Sequence, residues 1–152
     1  MSDPASTNAV QKSIIVRCDL ATAFRFWTEQ IDLWWPKTHS RSGDPNTVVL
    51  LEPHLGGRLF ERTSQGIEHD WGEVTAWEPP HHFAYHWYLG SDPTQPTHVD
   101  VRFSNHDSSS ARVEITHRGP ELIGELWFRN SARYDASWDV VLEAYATFVA
   151  SV

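Results

Sequence analysis

The sequence predicts an α+β domain in which one long C-terminal helix packs against an antiparallel sheet of six or seven strands. Three observations carry this reading. Between residues 47 and 117, apolar and polar side chains alternate with period two in short runs separated by Gly, Pro, Asp and Ser. After that the period changes, and Tyr134, Trp138, Val141, Tyr145 and Phe148 recur at helical spacing. With 152 residues, the chain has the length of one such domain and little more.

The elements follow in order. Residues 1–9 are mostly small and polar and read as a flexible terminus, leaving 10–152 as a single domain. Val10, Ile14, Ile15 and Val16 mark an opening strand. Asp19 stands at a helix N-cap, and Leu20, Ala23, Phe24 and Trp27 give the apolar stripe of a short helix. A second short helix over residues 30–35 ends at Pro36. Residues 38–45 are polar, with Gly43 and Pro45, and read as a loop. Strands are expected over 47–51, 58–63, 67–77 and 83–89, with a turn at Gly56-Gly57 and a stop at Pro79-Pro80. Loops over 90–96 and 104–110 frame a strand carrying Val99, Val101 and Phe103, and the last strand carries Val113, Ile115 and His117. The closing helix is expected to begin between Trp127 and Ala132 and to run for about five turns. A single helix laid on a curved sheet often leaves a cavity between them.

Composition excludes several function classes. A net charge of −8 argues against a general nucleic-acid binder, which needs basic surface. No apolar run is long enough to span a membrane, and the polar N-terminus does not resemble a signal peptide. Cys18 is the sole cysteine, so no internal disulfide forms; a reducing, cytoplasmic setting is expected. Either a monomer or a homodimer fits.

Several segments together resemble the Hsp90 ATPase activator homologue family, within the START-like, Bet v 1-like (SRPBCC) superfamily. They are Phe24-Arg25-Phe26-Trp27-Thr28 with Trp34-Trp35-Pro36, and Leu51-Glu52-Pro53 followed by Gly56-Gly57-Arg58. Trp71-Gly72-Glu73-Val74 with Trp77-Glu78-Pro79-Pro80 agrees as well, as does His117-Arg118-Gly119 followed by Tyr134-Asp135 and Trp138. The resemblance runs in order from about Ser13 to Phe148 and implies a helix-grip fold. Its members include lipid carriers, cyclases, aromatases, hormone receptors and stress-response proteins, so it implies no single activity. Ser137 departs from the glycine expected before that tryptophan. The eukaryotic activator also uses an additional N-terminal domain, whereas here only a few polar residues precede the first strand. Chaperone activation is therefore not expected from this chain alone, although a chaperone contact remains an alternative.

The expected function is binding of a small hydrophobic or aromatic molecule between sheet and closing helix; a cyclase- or aromatase-like enzyme in the same cavity is the alternative. Parity places Trp71, Tyr85, Trp87, Val101, Phe103, Ile115 and His117 on the inward face, with Tyr134 and Trp138 opposite on the helix. His117 either orients a ligand or acts as general base, or else hydrogen-bonds to the adjoining loop or helix. Glu61 shares inward parity with Leu59 and needs a partner, an arginine or the Tyr134 hydroxyl. Nine histidines invite a metal, but His82 and His86 on one strand stand ~13 Å apart, and no ligand motif occurs. His81-His82 reads as a turn. Cys18 precedes a helix N-terminus that lowers a thiol pKa. No nucleophile elbow, phosphate loop or cofactor motif is present, so neither metal nor cofactor is expected.

Overall fold

The computed structural model describes residues 9–88, 96–119 and 124–152, with the side chains of the last stretch described from residue 131. The expected terminal tail and the loop over 90–96 lie outside the described residues, apart from Ala9 and Pro96. Strand Val10–Val16 (β1) leads into helices Leu20–Thr28 (α1) and Ile31–Trp34 (α2). Six strands follow: Val48–Leu51 (β2), Arg58–Arg62 (β3), Glu68–Glu78 (β4), His82–Trp87 (β5), Thr97–Asp107 (β6) and Ser110–Arg118 (β7). Helix Gly124–Ser151 (α3) closes the chain.

The seven strands form one antiparallel sheet in the order β1-β7-β6-β5-β4-β3-β2. The sheet curls into a half-barrel around α3, the helix-grip arrangement. At α1, the Asp19 carboxylate accepts from the Thr22 N–H at 2.7 Å, and the face carrying Ala23, Phe24 and Trp27 is buried. The Tyr145 hydroxyl on α3 donates to the Ala23 carbonyl at 2.7 Å, joining the two helices. Lys12 on β1 lies 3.1 Å from Asp135 and 3.0 Å from Asp139, which joins the outer strand to α3.

Two expectations change. The polar stretch over 104–107 belongs to β6, because Ser104 pairs with Arg112 and Asn105 with Ala111. Its polar side chains belong to an exposed hairpin end, where backbone pairing continues without apolar burial. Helix α3 is 28 residues long and starts at Gly124, well before the expected point. The adjacent apolar residues Leu126, Trp127 and Phe128 interrupt helical spacing in the sequence and hide its first turns.

Strand β4 is irregular at two places. Its pairing with β3 shifts between Leu59 and Phe60, and its pairing with β5 shifts between Val74 and Ala76. The first shift brings Trp71 and Gly72 to the inner face together, and the second returns Trp77 to it. Inside this strand Gly72 has no room for a side chain: a Cβ would stand 2.2 Å from the His86 carbonyl oxygen. Gly72→Ala is expected to cost about 3 kcal/mol in denaturant unfolding, because backbone must move. Gly66→Ala, at a turn with φ +82° and open space, is expected to cost only ~1 kcal/mol. Equal losses for the two would refute the close approach at Gly72.

Candidate functional site

The site is built on a buried carboxylate. Glu61 on β3 is fully buried, and no cation among the described residues lies within ion-pair range of it. Five neutral donors surround it instead. The backbone N–H groups of Arg41 and Ser42 donate to Oε1 at 2.7 and 3.1 Å, and Trp71 Nε1–H donates at 3.0 Å. The hydroxyls of Ser42 and Thr47 donate to Oε2 at 2.6 and 2.7 Å. Burial alone would raise this pKa, but the bonds from Ser42, Thr47 and Trp71 outweigh it and hold the carboxyl below its usual range. The expected partners, an arginine side chain or the Tyr134 hydroxyl, are replaced by the loop between α2 and β2.

That loop is held from its other end too. Trp35 Nε1–H donates to the His39 carbonyl at 2.9 Å, and Ser64 donates through backbone and hydroxyl to Asp44. Thus fixed, residues 38–41 form one wall of a cavity of about 780 Å³. Trp35 and Trp87 form its floor, and Tyr134, Trp138 and Val141 on α3 form the facing wall. Thr38, His39, Ser40 and Arg41 line the loop side, with Arg133 and Ser137 on the helix side. Such a volume suits a small organic ligand.

His117 lies in the core behind this wall. Trp138 Nε1–H donates to its Nδ1 at 2.9 Å, so the ring proton resides on Nε2, which faces Thr97 Oγ1 at 2.7 Å. The Thr97 hydroxyl in turn donates to the Trp87 carbonyl at 3.0 Å. Both ring nitrogens are engaged, and burial lowers the pKa to about 3, with His98 adding to the effect. Of the two readings of His117, the hydrogen bond to the closing helix is present: the Nδ1 lone pair of this imidazole accepts from Trp138. The Tyr134 ring packs on it with centroids 4.4 Å apart.

Of the residues read from the sequence as ligand contacts, Trp87, Tyr134 and Trp138 meet on the cavity wall. Trp71, Tyr85, Val101, Phe103, Ile115, His117 and Glu61 are buried and stand off that wall. Phe103 is covered by Phe24 at 5.1 Å and Trp27 at 6.2 Å, so this part of the sheet is packed by aromatic rings. Sequence reasoning missed Trp35, Thr38, His39, Ser40, Arg41, Arg133 and Val141 as wall residues. Ser137, noted as a departure from glycine, was the signal available on α3; the loop carried none beyond its polarity.

Two smaller expectations also change. Cys18 has its thiol pKa raised by burial and by the Asp19 charge, the opposite direction from the lowering expected at a helix end. His82 opens β5 rather than sitting in a turn, with Nδ1 2.7 Å from Glu78 and Nε2 2.7 Å from Asp100 on the outer face of the sheet. Among the described residues, no group of three or more His, Cys, Asp or Glu is placed to hold a metal ion. Nor is any helix among them long and apolar enough to cross a membrane.

A curled antiparallel sheet gripping one long helix, open to a cavity at one end, defines the Bet v 1-like class of proteins. Within that class, the sequence pattern of the activator of Hsp90 ATPase homolog 1-like proteins matches residues 17–140, and the chain belongs to this family. No curated protein matches the sequence. Among solved structures, the self-sacrificing resistance protein CalC from Micromonospora echinospora is similar at 25% identity and a TM-score of 0.69, over 93% of each chain. An anthrahydroquino-γ-pyrone synthase, Txn09, is similar at 25% identity and a TM-score of 0.61, over 91% of this chain and 95% of that one. An HSP90 activator from Plasmodium falciparum shares the fold at 18% identity and a TM-score of 0.54, over 73% of this chain and 72% of its own.

Two predictions follow from Glu61 and His117. Glu61→Ala strands five donors and is expected to cost about 3 kcal/mol. It should also speed hydrogen exchange at the Arg41 and Ser42 amides. Glu61→Gln should be milder, since its amide can face the Ser42 and Thr47 hydroxyls, which turn to accept. Unchanged exchange in the alanine variant would show that the loop is held by other means. For His117, the unfolded chain takes up a proton near pH 6.5 and the folded chain only near 3. Its contribution to stability is therefore complete above pH 6.5 and declines as pH falls toward 3, by ~1.4 kcal/mol per unit. Between pH 6.5 and 5, urea unfolding of the natural chain should lose ~2 kcal/mol that His117→Gln does not lose. Identical slopes would mean that His117 takes up protons in the folded state.

Proposed function

We propose that this protein binds a small, largely apolar and planar molecule in the cavity between the loop over residues 38–41, Trp87 and helix α3. The observation that carries this reading is a cavity of about 780 Å³ with three tryptophans and a tyrosine on its walls. Flat aromatic walls suit a flat ligand, which stacks on them at little cost in side-chain entropy. Covering ~250 Å² of apolar ligand surface contributes about 6 kcal/mol before ordering costs. A neutral ligand then binds at tens of micromolar or more weakly.

Binding is favoured over catalysis by the state of the two polar groups, His117 and Glu61, that the sequence offers for acid–base work. Both His117 nitrogens are engaged, and both Glu61 oxygens receive donors, so neither stands ready to move a proton for a bound molecule. The resemblance to a pyrone synthase keeps a cyclase-type reaction as the second reading, with the same cavity as its site.

Intrinsic fluorescence provides the test, since Trp35, Trp87 and Trp138 all face the cavity. Titration with anthracene-2-carboxamide should quench it saturably. Ser137→Trp, which fills the cavity from the helix side, should weaken binding at least tenfold. Arg102→Gln, on an exposed sheet position, should leave it unchanged. Equal affinity in the natural chain and Ser137→Trp would place binding elsewhere.

A further inference from the structure

The charged side chains that line the cavity among the described residues are both arginines. The whole chain has 20 acidic residues against 12 lysines and arginines, yet among the described residues the cavity is lined by Arg41 and Arg133 and by no Asp or Glu. On the sheet surface Arg58 reaches Glu52, Glu68 and Asp70, and Arg62 reaches Glu68, so those charges are neutralised locally. Among the described residues, neither Arg41 nor Arg133 enters an ion pair, and both are exposed residues of the cavity lining. They come from separate elements, one from the loop and one from α3, so their sharing of one cavity depends on the tertiary fold.

Arg41 is placed with particular care. Its backbone N–H is bonded to Glu61 at 2.7 Å, and two residues earlier the His39 carbonyl accepts from Trp35. The same loop thus anchors the Trp35 indole and the backbone from which the Arg41 side chain extends. A guanidinium pairs with a carboxylate through two parallel hydrogen bonds and also lies flat against aromatic rings. Aromatic rings and two exposed arginines lining one cavity are complementary to a flat molecule with a negative group at one end.

Resting on the binding function proposed above, we infer that the ligand is a planar aromatic anion, whose carboxylate or ionised phenol is held by Arg41 and Arg133 while its rings lie on Trp35, Trp87 and Trp138. The ligand's charge, in addition to its apolar area, then determines selection.

The test compares two probes of one shape, anthracene-2-carboxylate and anthracene-2-carboxamide, by tryptophan quenching at low salt. The carboxylate is expected to bind at least tenfold more tightly than the amide, and this ratio should shrink in 0.5 M (about 4 Å Debye length) sodium chloride. In the double variant Arg41→Gln, Arg133→Gln the ratio should fall close to one. Both side chains are exposed, so an unchanged melting temperature is expected and checks that the variant is folded. Equal binding of the two probes by the natural chain would overturn this inference and leave the apolar cavity function standing. A ratio that survives the double variant would overturn the assignment to these arginines. Binding of neither probe would overturn both readings.

Discussion

Glu61 imposes the constraint around which this end of the molecule is arranged. A carboxylate removed from water must be surrounded by donors, and β3 alone supplies none beyond its ladder. The donors come from the Arg41 and Ser42 backbone, the Ser42 and Thr47 hydroxyls and the Trp71 indole. Satisfying one side chain thereby draws a polar loop of otherwise weak structural preference onto the sheet. The loop has to pass over the end of the half-barrel to reach it. A wall is formed where a simple connection between α2 and β2 would leave open solvent.

The tryptophans extend the same logic into the core. Each of four has its indole N–H on a specific acceptor: Trp34 on the Phe26 carbonyl, Trp35 on the His39 carbonyl, Trp71 on Glu61 and Trp138 on His117. Their rings also touch in series, with Trp35 5.5 Å from Trp71, 6.0 Å from Trp87 and 6.3 Å from Trp138. Large rigid rings held at their edges cannot collapse into a neighbouring void as flexible aliphatic chains would. Packing is dense where Phe24, Trp27, Phe83 and Phe103 meet, and opens where the rings face a loop held in place by a carboxylate.

On the other side of the wall, His117, Thr97 and the Trp87 carbonyl form a hydrogen-bond relay starting at Trp138. It links helix α3 to β7, β6 and β5, the strands beneath the cavity. A neutral imidazole serves this purpose well, because it accepts at one nitrogen and donates at the other without a buried charge. Histidine here is a connector of two-sided polarity, and its position at the wall follows from that role.

Much of the fold is legible in the sequence because its determinants are local. Asp19 caps its own helix three residues on, and the inward set Val99, Val101, Phe103 faces Ile115 and Val113 through an unshifted register. Parity succeeds for Trp71 and Trp77 for a less direct reason: two shifts in β4 fall between them and cancel. Family segments such as Trp34-Trp35-Pro36 and Trp71-Gly72 carry the same local information, together with the close approach that only glycine permits. What the chain alone determined was therefore which residues are apolar, how often they recur and which face they take. The tertiary structure decided what each polar group meets. Glu61 finds Arg41 twenty residues away, Trp138 finds His117 at a separation of 21, and Arg41 comes to share a cavity with Arg133. Hydrogen bonds and charges act over a few ångströms of space irrespective of chain distance, so their partners exist only once the sheet has curled and the helix has closed it.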